Sequence, residues 1–445
     1  MLQLAMRSVR QRPGRFFATL LSAFLGATVI MTFNSMLDTA GASGVDPVSE
    51  ESLNSAAQVV GGYGTLLVFF AVASTLTVNV RQRDAEIGLL HSVGATPAQI
   101  KWMITGEAVV VALVGTLAAV GPAVLGGQVL LEQFKDSGQV AQDVDHVFGP
   151  VALATGISIT LLASAGAAFL AVRRAAKARS GTRRRGVRVR VLAGCAALAA
   201  GASGVGATFA MEKTEPMAMA PPAYGAILLA VGLAILSPAL LRLVLAVLEG
   251  PLAAFGGAGA YLAVRNVRRR AAELSGTLMP LILFVALATA TLYMQGVQND
   301  AIKESGLVRT VDDKNLETLN FVIVGIIVAF AYIMLINTLY AATAYRRREF
   351  GQERLAGATP AQVMRMIGWE GLLLTLAGVL YGSLAGLAGI VAFTRFRTGS
   401  SLPDQGLGLW LGTVAAAAAA TFLTSLLTAH RALRVRAVTA AAVIA

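Results

Sequence analysis

Charged residues, cysteine and histidine are all scarce in this 445-residue chain. Charged residues make up 13% of the sequence, whereas soluble domains carry roughly 25%, so a soluble enzyme is excluded. Cys195 is the only cysteine, so no disulfide can form within the chain. One cysteine and three histidines without a common spacing do not make a zinc-binding set, and we predict no metal site.

A phosphate-binding loop is also missing. No lysine follows a glycine anywhere in the sequence, so the chain lacks the GxxxxGK[ST] pattern that cradles nucleotide phosphates. We therefore predict that the chain is not an enzyme, has no catalytic residues for ATP hydrolysis by that route and carries no cofactor of its own.

Apolar residues, in contrast, make up 56% of the sequence, and the mean hydropathy is +0.70. A membrane-spanning helix needs about 20 predominantly apolar residues, and the segments of this kind predict an all-α membrane protein with about ten transmembrane helices. We place these spans near residues 16–37, 59–80, 107–131, 149–172, 191–210, 222–247, 277–297, 317–341, 370–394 and 406–429.

The distribution of basic residues predicts the orientation. If both chain ends face the cytoplasm, 29 of the 36 Lys and Arg residues fall on that side, counting Arg242 at the inner end of the sixth span. Because cytoplasmic loops are enriched in Lys and Arg, we predict an N-in, C-in, multi-pass protein of a bacterial inner membrane. Its outer loops are too short to form a large extracytoplasmic domain.

An internal repeat is the strongest pattern in the sequence. GATPAQI at residues 94–100 recurs as GATPAQV at residues 357–363. AMRSVRQR at residues 5–12 likewise aligns with AVRNVRRR at residues 263–270, and each copy precedes an apolar span. The repeat predicts two four-helix units of the same orientation, related by a pseudo-twofold axis along the membrane normal.

The repeat also predicts how the chain is divided. We place the first four-helix unit at residues 1–172 and the second at residues 251–445. Residues 173–250 form a basic loop followed by a two-helix connector. The basic loop, residues 173–190, carries nine Lys and Arg residues, and we expect it to bind anionic membrane lipid and not nucleic acid.

Both copies of the GATPAQ motif carry the signals of a helix end followed by a helix start. Gly94 suits the left-handed residue that closes a helix. Thr96 is suited to an N-cap, Pro97 to the first helical position, and Gln99 completes a capping box. The same arrangement is expected at Gly357, Thr359, Pro360 and Gln362. We name residues 94–100 the first capped turn and residues 357–363 the second capped turn. Each is either a rigid lever or only a well-formed turn between two spans.

These paired segments, with R-x-x-E-x-G upstream of GATP-x-Q-[IV], resemble the FtsX-like permease domains of MacB-type (type VII) ABC transporters. The resemblance covers both four-helix units and leaves the fifth and sixth spans as the connector. It implies a membrane permease subunit in which the segment after the second helix of each unit contacts an ATPase subunit. Two such segments, residues 81–100 and 344–363, imply two ABC ATPase subunits per chain, which would hold the ATP and Mg.

Carried over residue by residue, the resemblance assigns ATPase coupling to both segments. The residues concerned are Arg81, Arg83, Glu86, Gly88, Gly94, Ala95, Thr96, Pro97, Gln99 and Ile100 in the first segment, and Arg346, Glu349, Gly351, Gly357, Ala358, Thr359, Pro360, Gln362 and Val363 in the second.

Other residues have structural interpretations. Small residues at every fourth position predict close helix packing, at Gly115, Ala119, Ala123, Gly378, Gly382 and Gly386. Glu107 and Glu370 begin the third and ninth spans, and we interpret them as partners of Arg81 or Arg346 and not as substrate contacts. Asn337 is expected to form a hydrogen bond between helices.

Two functions from different classes remain open. In the first, ATP hydrolysis by the partner subunits drives export or extraction of an amphiphile: a lipid, a lipopeptide, an antimicrobial peptide or a hydrophobic drug. In the alternative, the same motion signals across the membrane and regulates an extracytoplasmic hydrolase or a sensor kinase without transport. An ion-coupled transporter is a third class, but it would need charged residues at mid-membrane, and the spans do not supply them.

Overall fold

The structure is a computed structural model, and it describes residues 13–54, 56–58, 65, 69, 89–90, 92–179, 183–211, 219–255, 257–304, 311–344, 346–400 and 402–442. Within these ranges the protein is helical and contains no strand. The helices used below are, in chain order, α1 (Pro13–Ala40), α2 (Pro97–Asp136), α3 (Pro150–Arg179), α4 (Arg183–Ala207), α5 (Ala220–Phe255), α6 (Gly257–Glu304), α7 (Val311–Ala344), α8 (Arg347–Leu355), α9 (Pro360–Thr398), α10 (Gly408–Leu433) and α11 (Ala437–Ala442).

In the part of the chain that the structure describes, nine helical segments are long and apolar enough to cross a membrane. They are Phe17–Ala40, Ala98–Asp136, Pro150–Phe169, Arg188–Ala210, Ala220–Gly250, Gly276–Ala301, Val328–Leu355, Pro360–Thr398 and Gly408–Leu433. Each matches one of the spans predicted from the sequence. The remaining predicted span, residues 59–80, lies outside the described residues apart from residues 65 and 69.

The segment 173–190, predicted as a loop, is mostly helical, which corrects the sequence analysis, and a further helix extends beyond the apolar span that begins near residue 276. Helix α3 continues to Arg179 and α4 begins at Arg183, so most of the basic stretch 173–190 is helix. Helix α5 extends to Phe255, and α6 begins at Gly257, well before the apolar segment Gly276–Ala301. Hydropathy detects only the part of a helix that lies in lipid. Ala, Arg and Glu are good helix formers, so these helices continue past the apolar layer.

The helices pack in two similar groups. Helices α1, α2 and α3 contact one another, and α6, α9 and α10 contact one another in the corresponding way. Helix α7 packs on α6 and α10 and also contacts α1, while α4 pairs with α5. Among the nine described spans, the one in α6 is the most buried, since 89% of its apolar window is buried, against 17% for Arg188–Ala210, which overlaps α4.

Both capped turns lie at the same end of the helices. Helices α1 and α2 run parallel, because Gly115 lies against Leu20 and Gly127 lies against Ser35. The start of α2 is therefore at the same end as the start of α1. Near the end of α7, Asn337 donates from Nδ2 to the carbonyl oxygen of Ala18, 2.8 Å away, in the first half of α1. The second capped turn follows α7 closely, so it is at that end too. The hydrogen bond also confirms the interhelical role predicted for Asn337.

At the opposite end, a loop is tied to α1 and α3. Asp38 accepts hydrogen bonds from the backbone N–H groups of Val151 and Ala152, at 3.0 and 2.8 Å, and so caps the start of α3. His146 Nε2 lies 3.1 Å from Ser35 Oγ. Burial lowers the pKa of His146 from its usual 6.5, although the Asp38 carboxylate opposes this effect.

Candidate functional site: two capped turns

The first capped turn closes one helix and opens the next within four residues. The backbone N–H of Ala95 donates to the Leu90 carbonyl oxygen at 2.9 Å, across Gly94, whose φ is +94°. The Thr96 N–H donates to Gln99 Oε1 at 2.9 Å, and the Gln99 N–H donates to Thr96 Oγ1 at 3.3 Å. These two reciprocal hydrogen bonds form the predicted capping box and occupy donors at the start of α2.

The second capped turn has the same geometry. The Ala358 N–H donates to the Glu353 carbonyl oxygen at 3.0 Å, across Gly357, whose φ is +99°. The Thr359 N–H donates to Gln362 Oε1 at 2.8 Å, and the Gln362 N–H donates to Thr359 Oγ1 at 3.3 Å. The capping boxes predicted from the two GATPAQ motifs are therefore both confirmed.

The backbone of each turn explains why glycine and proline stand where they do. A side chain in the left-handed region of Gly94 or Gly357 would be strained. The atom that a Cβ would add at either glycine meets nothing within 4 Å, so conformation and not space requires glycine there. Pro97 and Pro360 occupy the first turns of α2 and α9, where their fixed φ fits the helix. Each turn is thus held in one conformation.

The two turns are exposed, and each is followed by one buried aliphatic residue. Gly94, Thr96 and Gln99 are exposed, as are the corresponding residues of the second turn, Gly357, Thr359 and Gln362. Beneath them, Ile100 and Val363 are buried. Each turn therefore presents its polar residues outward while one aliphatic side chain holds it to the protein.

The second turn is anchored more extensively than the first in the described part of the chain. Val363 packs with Phe350 and Ile367 of its own segment and with α10 residues that include Ala429 and Leu433. Arg354 of α8 also donates from Nη1 to two carbonyl oxygens. One belongs to Leu433, the last residue of α10, at 3.0 Å, and the other to Val435, just after α10, at 2.7 Å. The second turn is therefore fixed to α10.

The surfaces beside the two turns differ in polarity. Before the first turn, Leu89 and Val93 are exposed, Val93 to 86%. The corresponding residues before the second turn are Gln352 and Ala356, which are also exposed. At these two positions the first turn therefore carries larger apolar side chains than the second, although Leu355 before the second turn is also exposed.

A network of buried and half-buried ion pairs joins α8 and α9, the helices on either side of the second turn. Arg346 lies between two carboxylates. Its Nη1 is 2.6 Å from Glu370 Oε2 in α9, and its Nε is 2.9 Å from Glu349 Oε2 in α8. The Arg346 and Glu370 side chains are only 13% and 5% exposed. The guanidinium also stacks 5.2 Å from the centre of the Phe350 ring. The partnership predicted between Glu370 and Arg346 is confirmed.

Helix α6 completes this network, which the sequence analysis did not anticipate. Arg270 Nη1 lies 2.6 and 2.7 Å from the two carboxylate oxygens of Glu349. Asn266 Nδ2 donates to Glu370 Oε1. Both residues belong to the AVRNVRRR segment, whose position before an apolar span was the available signal. We call Arg270, Arg346, Glu349, Glu370 and Asn266 the ion-pair network.

Several assigned residues of the first segment lie outside the described part of the chain, namely Arg81, Arg83, Glu86 and Gly88. In the described part, Glu107 is buried at the start of the predicted third span. Gly351 of the second segment is buried within α8. In the described residues, no group of three or more His, Cys, Asp and Glu side chains is placed to hold a metal ion.

The small residues lie at close helix contacts. A Cβ on Gly115 would be 3.0 Å from the Leu20 carbonyl oxygen and 3.1 Å from Ala23 Cβ, and Ala119 and Ala123 are fully buried. In the other group of helices, a Cβ on Gly378 would run into Leu281. Close contacts of the same kind are found at Gly382 and Gly386.

These helices define a multi-pass, all-helical membrane protein. The FtsX-like permease C-terminal family matches the chain in two segments, residues 59–179 and 321–437, which together exceed half of its length. The chain therefore belongs to the FtsX-like permease family. Members of this family are membrane permease components of ABC transporters and generally work with ABC ATPase partners. No curated protein matches the chain in a sequence comparison.

Proposed function

We propose that the chain is the permease subunit of a MacB-type ABC transporter, and that each capped turn binds one ATPase subunit. One observation carries this proposal: the same rigid, exposed turn occurs twice, each time at the start of a long helix. Helix α2 continues for 40 residues from the first turn without a break, a length of about 60 Å. A displacement of the turn therefore moves a helix that reaches across the bilayer.

The proposal includes a duplicated architecture. Two four-helix units, residues 1–172 and 251–445, are related by a pseudo-twofold axis, and α4 and α5 connect them. Equivalent contacts support this arrangement. Gly115 meets Ala23, and Gly378 meets Leu281, which is the residue that aligns with Ala23 in the repeat. The excess of Lys and Arg in the inner segments supports an N-in, C-in orientation, with both turns in the cytoplasm.

The coupling step follows from this arrangement. ATP and Mg bind to the partner subunits, which close on each other and displace the two turns together. At the second turn, the ion-pair network carries the displacement to α6 through Arg270 and Asn266. Because α6 holds the most buried of the described spans, its movement repacks the centre of the second unit. The two units then rock against each other at the α1–α7 contact.

The substrate class follows from the polarity of the spans. In the described residues, Glu107 and Glu370 are the only charged residues that are buried, and Glu370 is tied to Arg346 near the second turn. The charged residues of the nine described spans lie toward the span ends, so the described spans offer no mid-membrane charge for an ion pathway. We propose export or extraction of an amphiphile from the bilayer, such as a lipid, a lipopeptide, an antimicrobial peptide or a hydrophobic drug.

Bulky substitutions on the turns test this function. Ala98 and Ala361 are exposed and equivalent in the two turns, and Ala141 is exposed at the opposite end of the helices. We expect the ATPase that copurifies with the chain to hydrolyse ATP faster when the two are reconstituted together. Ala98→Trp and Ala361→Trp should each reduce this stimulation, whereas Ala141→Trp should leave it unchanged. Full stimulation of both turn variants would refute docking at the turns.

A further inference from the structure

A cavity of about 320 Å³ lies between the end of α5 and the start of α6. It is lined by Glu249, Tyr261, Val264, Arg265, Arg268 and Arg269. Three of these six side chains are guanidinium groups, and only one is a carboxylate. The cavity is small for a ligand site, where volumes of roughly 300–1,000 Å³ are usual, so it suits a compact charged group.

Helix geometry separates the arginines of the AVRNVRRR segment into two sets. At 3.6 residues per turn, Asn266 and Arg270 share the side of α6 that meets Glu349 and Glu370. Arg265, Arg268 and Arg269 point to a different side, where the cavity lies. The ion-pair network therefore does not use the arginines of the cavity.

The cavity arginines keep donors for a ligand. Arg268 Nη1 forms a 3.0 Å ion pair with Glu249, but both side chains are about half exposed, at 52% and 48%. Arg265 Nη1 donates to the Tyr261 hydroxyl at 3.2 Å. Among the residues that the structure describes, the Arg269 side chain has no hydrogen-bond or ion-pair partner. Most of the planar N–H donors of the three guanidinium groups thus remain available. This donor geometry matches a phosphate group.

The position of the cavity indicates where such a phosphate comes from. Glu249 is the penultimate residue of the apolar segment Ala220–Gly250, and the arginines precede the apolar segment Gly276–Ala301. The cavity therefore opens where two spans leave the apolar layer, which is the level of lipid headgroups. Basic pockets between transmembrane helices at this level bind anionic headgroups.

We propose that this cavity binds the phosphodiester headgroup of an anionic phospholipid from the leaflet on the side of the capped turns. Arg265, Arg268 and Arg269 bind the phosphate oxygens, and the Tyr261 hydroxyl donates a further hydrogen bond. Glu249 competes with the lipid for Arg268. The proposal is independent of ATPase docking, because it requires only that α5 and α6 lie in the membrane.

Lipid titration of the purified full-length chain tests the site, with bound phosphatidylglycerol measured by native mass spectrometry. Each basic residue near an anionic surface contributes about fivefold in affinity, so Arg265→Ala/Arg268→Ala/Arg269→Ala should weaken binding on the order of 100-fold. Glu249→Gln should instead strengthen binding several-fold, a gain that a misfolded variant would not show.

A matched control removes the same charge elsewhere. Arg431, Arg434 and Arg436 are exposed at or just beyond the end of α10 and do not line the cavity, so Arg431→Ala/Arg434→Ala/Arg436→Ala should weaken phosphatidylglycerol binding clearly less than the cavity variant. Equal losses in the two triple variants would overturn the proposal, and so would a failure of Glu249→Gln to strengthen binding. Displacement of the lipid by millimolar inorganic phosphate would assign the site to free phosphate and reject the lipid. Binding of an acidic peptide in preference to phosphatidylglycerol would reject it as well.

Discussion

Replacing Arg346 by methionine removes the guanidinium at the centre of the ion-pair network and keeps a long apolar side chain. Glu370 would then retain Asn266 as a hydrogen-bond donor but lose its cation while it stays buried. Loss of one partner from a buried ion pair costs about 3–5 kcal/mol, mainly because the other charge remains out of water. We expect Arg346→Met to lower the free energy of unfolding of the full chain by this amount.

A double-mutant cycle isolates the pair. Glu370→Gln removes the opposite charge, and the double variant removes both. Residues in one network couple by about 0.5–3 kcal/mol, so the double variant should be less destabilised than the sum of the two single variants. Denaturant unfolding in mixed micelles gives the three free-energy changes.

The exposed pair of Arg268 and Glu249 supplies the comparison. Because both side chains are about half exposed, Arg268→Met should cost about 0–1 kcal/mol. If Arg346→Met costs no more than Arg268→Met, or if the effects of Arg346→Met and Glu370→Gln simply add, the network does not hold the second turn as described.

Further substitutions test other parts of the structure. Gly378→Ala should lower the free energy of unfolding by about 1–3 kcal/mol, because the added Cβ runs into Leu281. Gly368→Ala in the same helix is the control, since its Cβ meets nothing within 4 Å and should not lower the free energy of unfolding. Thermal unfolding compares the two variants. Gly357→Ala should lower the free energy of unfolding by about 1–2 kcal/mol, because the φ of Gly357 is +99°. The same substitution should weaken stimulation of the ATPase. An unchanged free energy of unfolding would contradict the strain argument. Burial lowers the pKa of His146 below its usual 6.5, so the unfolded chain binds more protons than the folded chain as pH falls below 6.5, and stability should decrease as pH is lowered through this range. His146→Gln should reduce this dependence in unfolding measurements at several pH values, and an unchanged dependence would exclude His146 as its source.

The parts of the site that depend on neighbouring residues were predictable from the sequence. The capping box of Thr96 and Gln99 needs only residues three positions apart, and the glycine before it reports a local backbone conformation. The same reasoning located the second turn. Glu370 was paired with Arg346 because a carboxylate at the start of an apolar span needs a nearby cation.

The parts that depend on packing between distant segments were not predictable. Arg270 and Glu349 are 79 residues apart in sequence, and nothing local indicates that α6 passes beside α8. The cavity that Arg269 lines likewise exists only because α5 and α6 meet there. The helical extension of α3 to Arg179 was missed for another reason, since hydropathy measures contact with lipid and not backbone conformation.

Site-directed cross-linking tests the docking of ATPases at the turns most directly. Cys195 is the only cysteine and is exposed, so a Cys195→Ser chain accepts single cysteines at Ala98, Ala361 and, as a control at the opposite end, Asp404. A photoreactive ATP analogue labels the ATPase polypeptide in native membranes, so that a cross-linked product that contains it can be recognised. We predict cross-links to the ATP-labelled polypeptide from both Ala98→Cys and Ala361→Cys and none from Asp404→Cys. Labelled cross-links from Asp404→Cys alone, or from none of the three, would contradict the account.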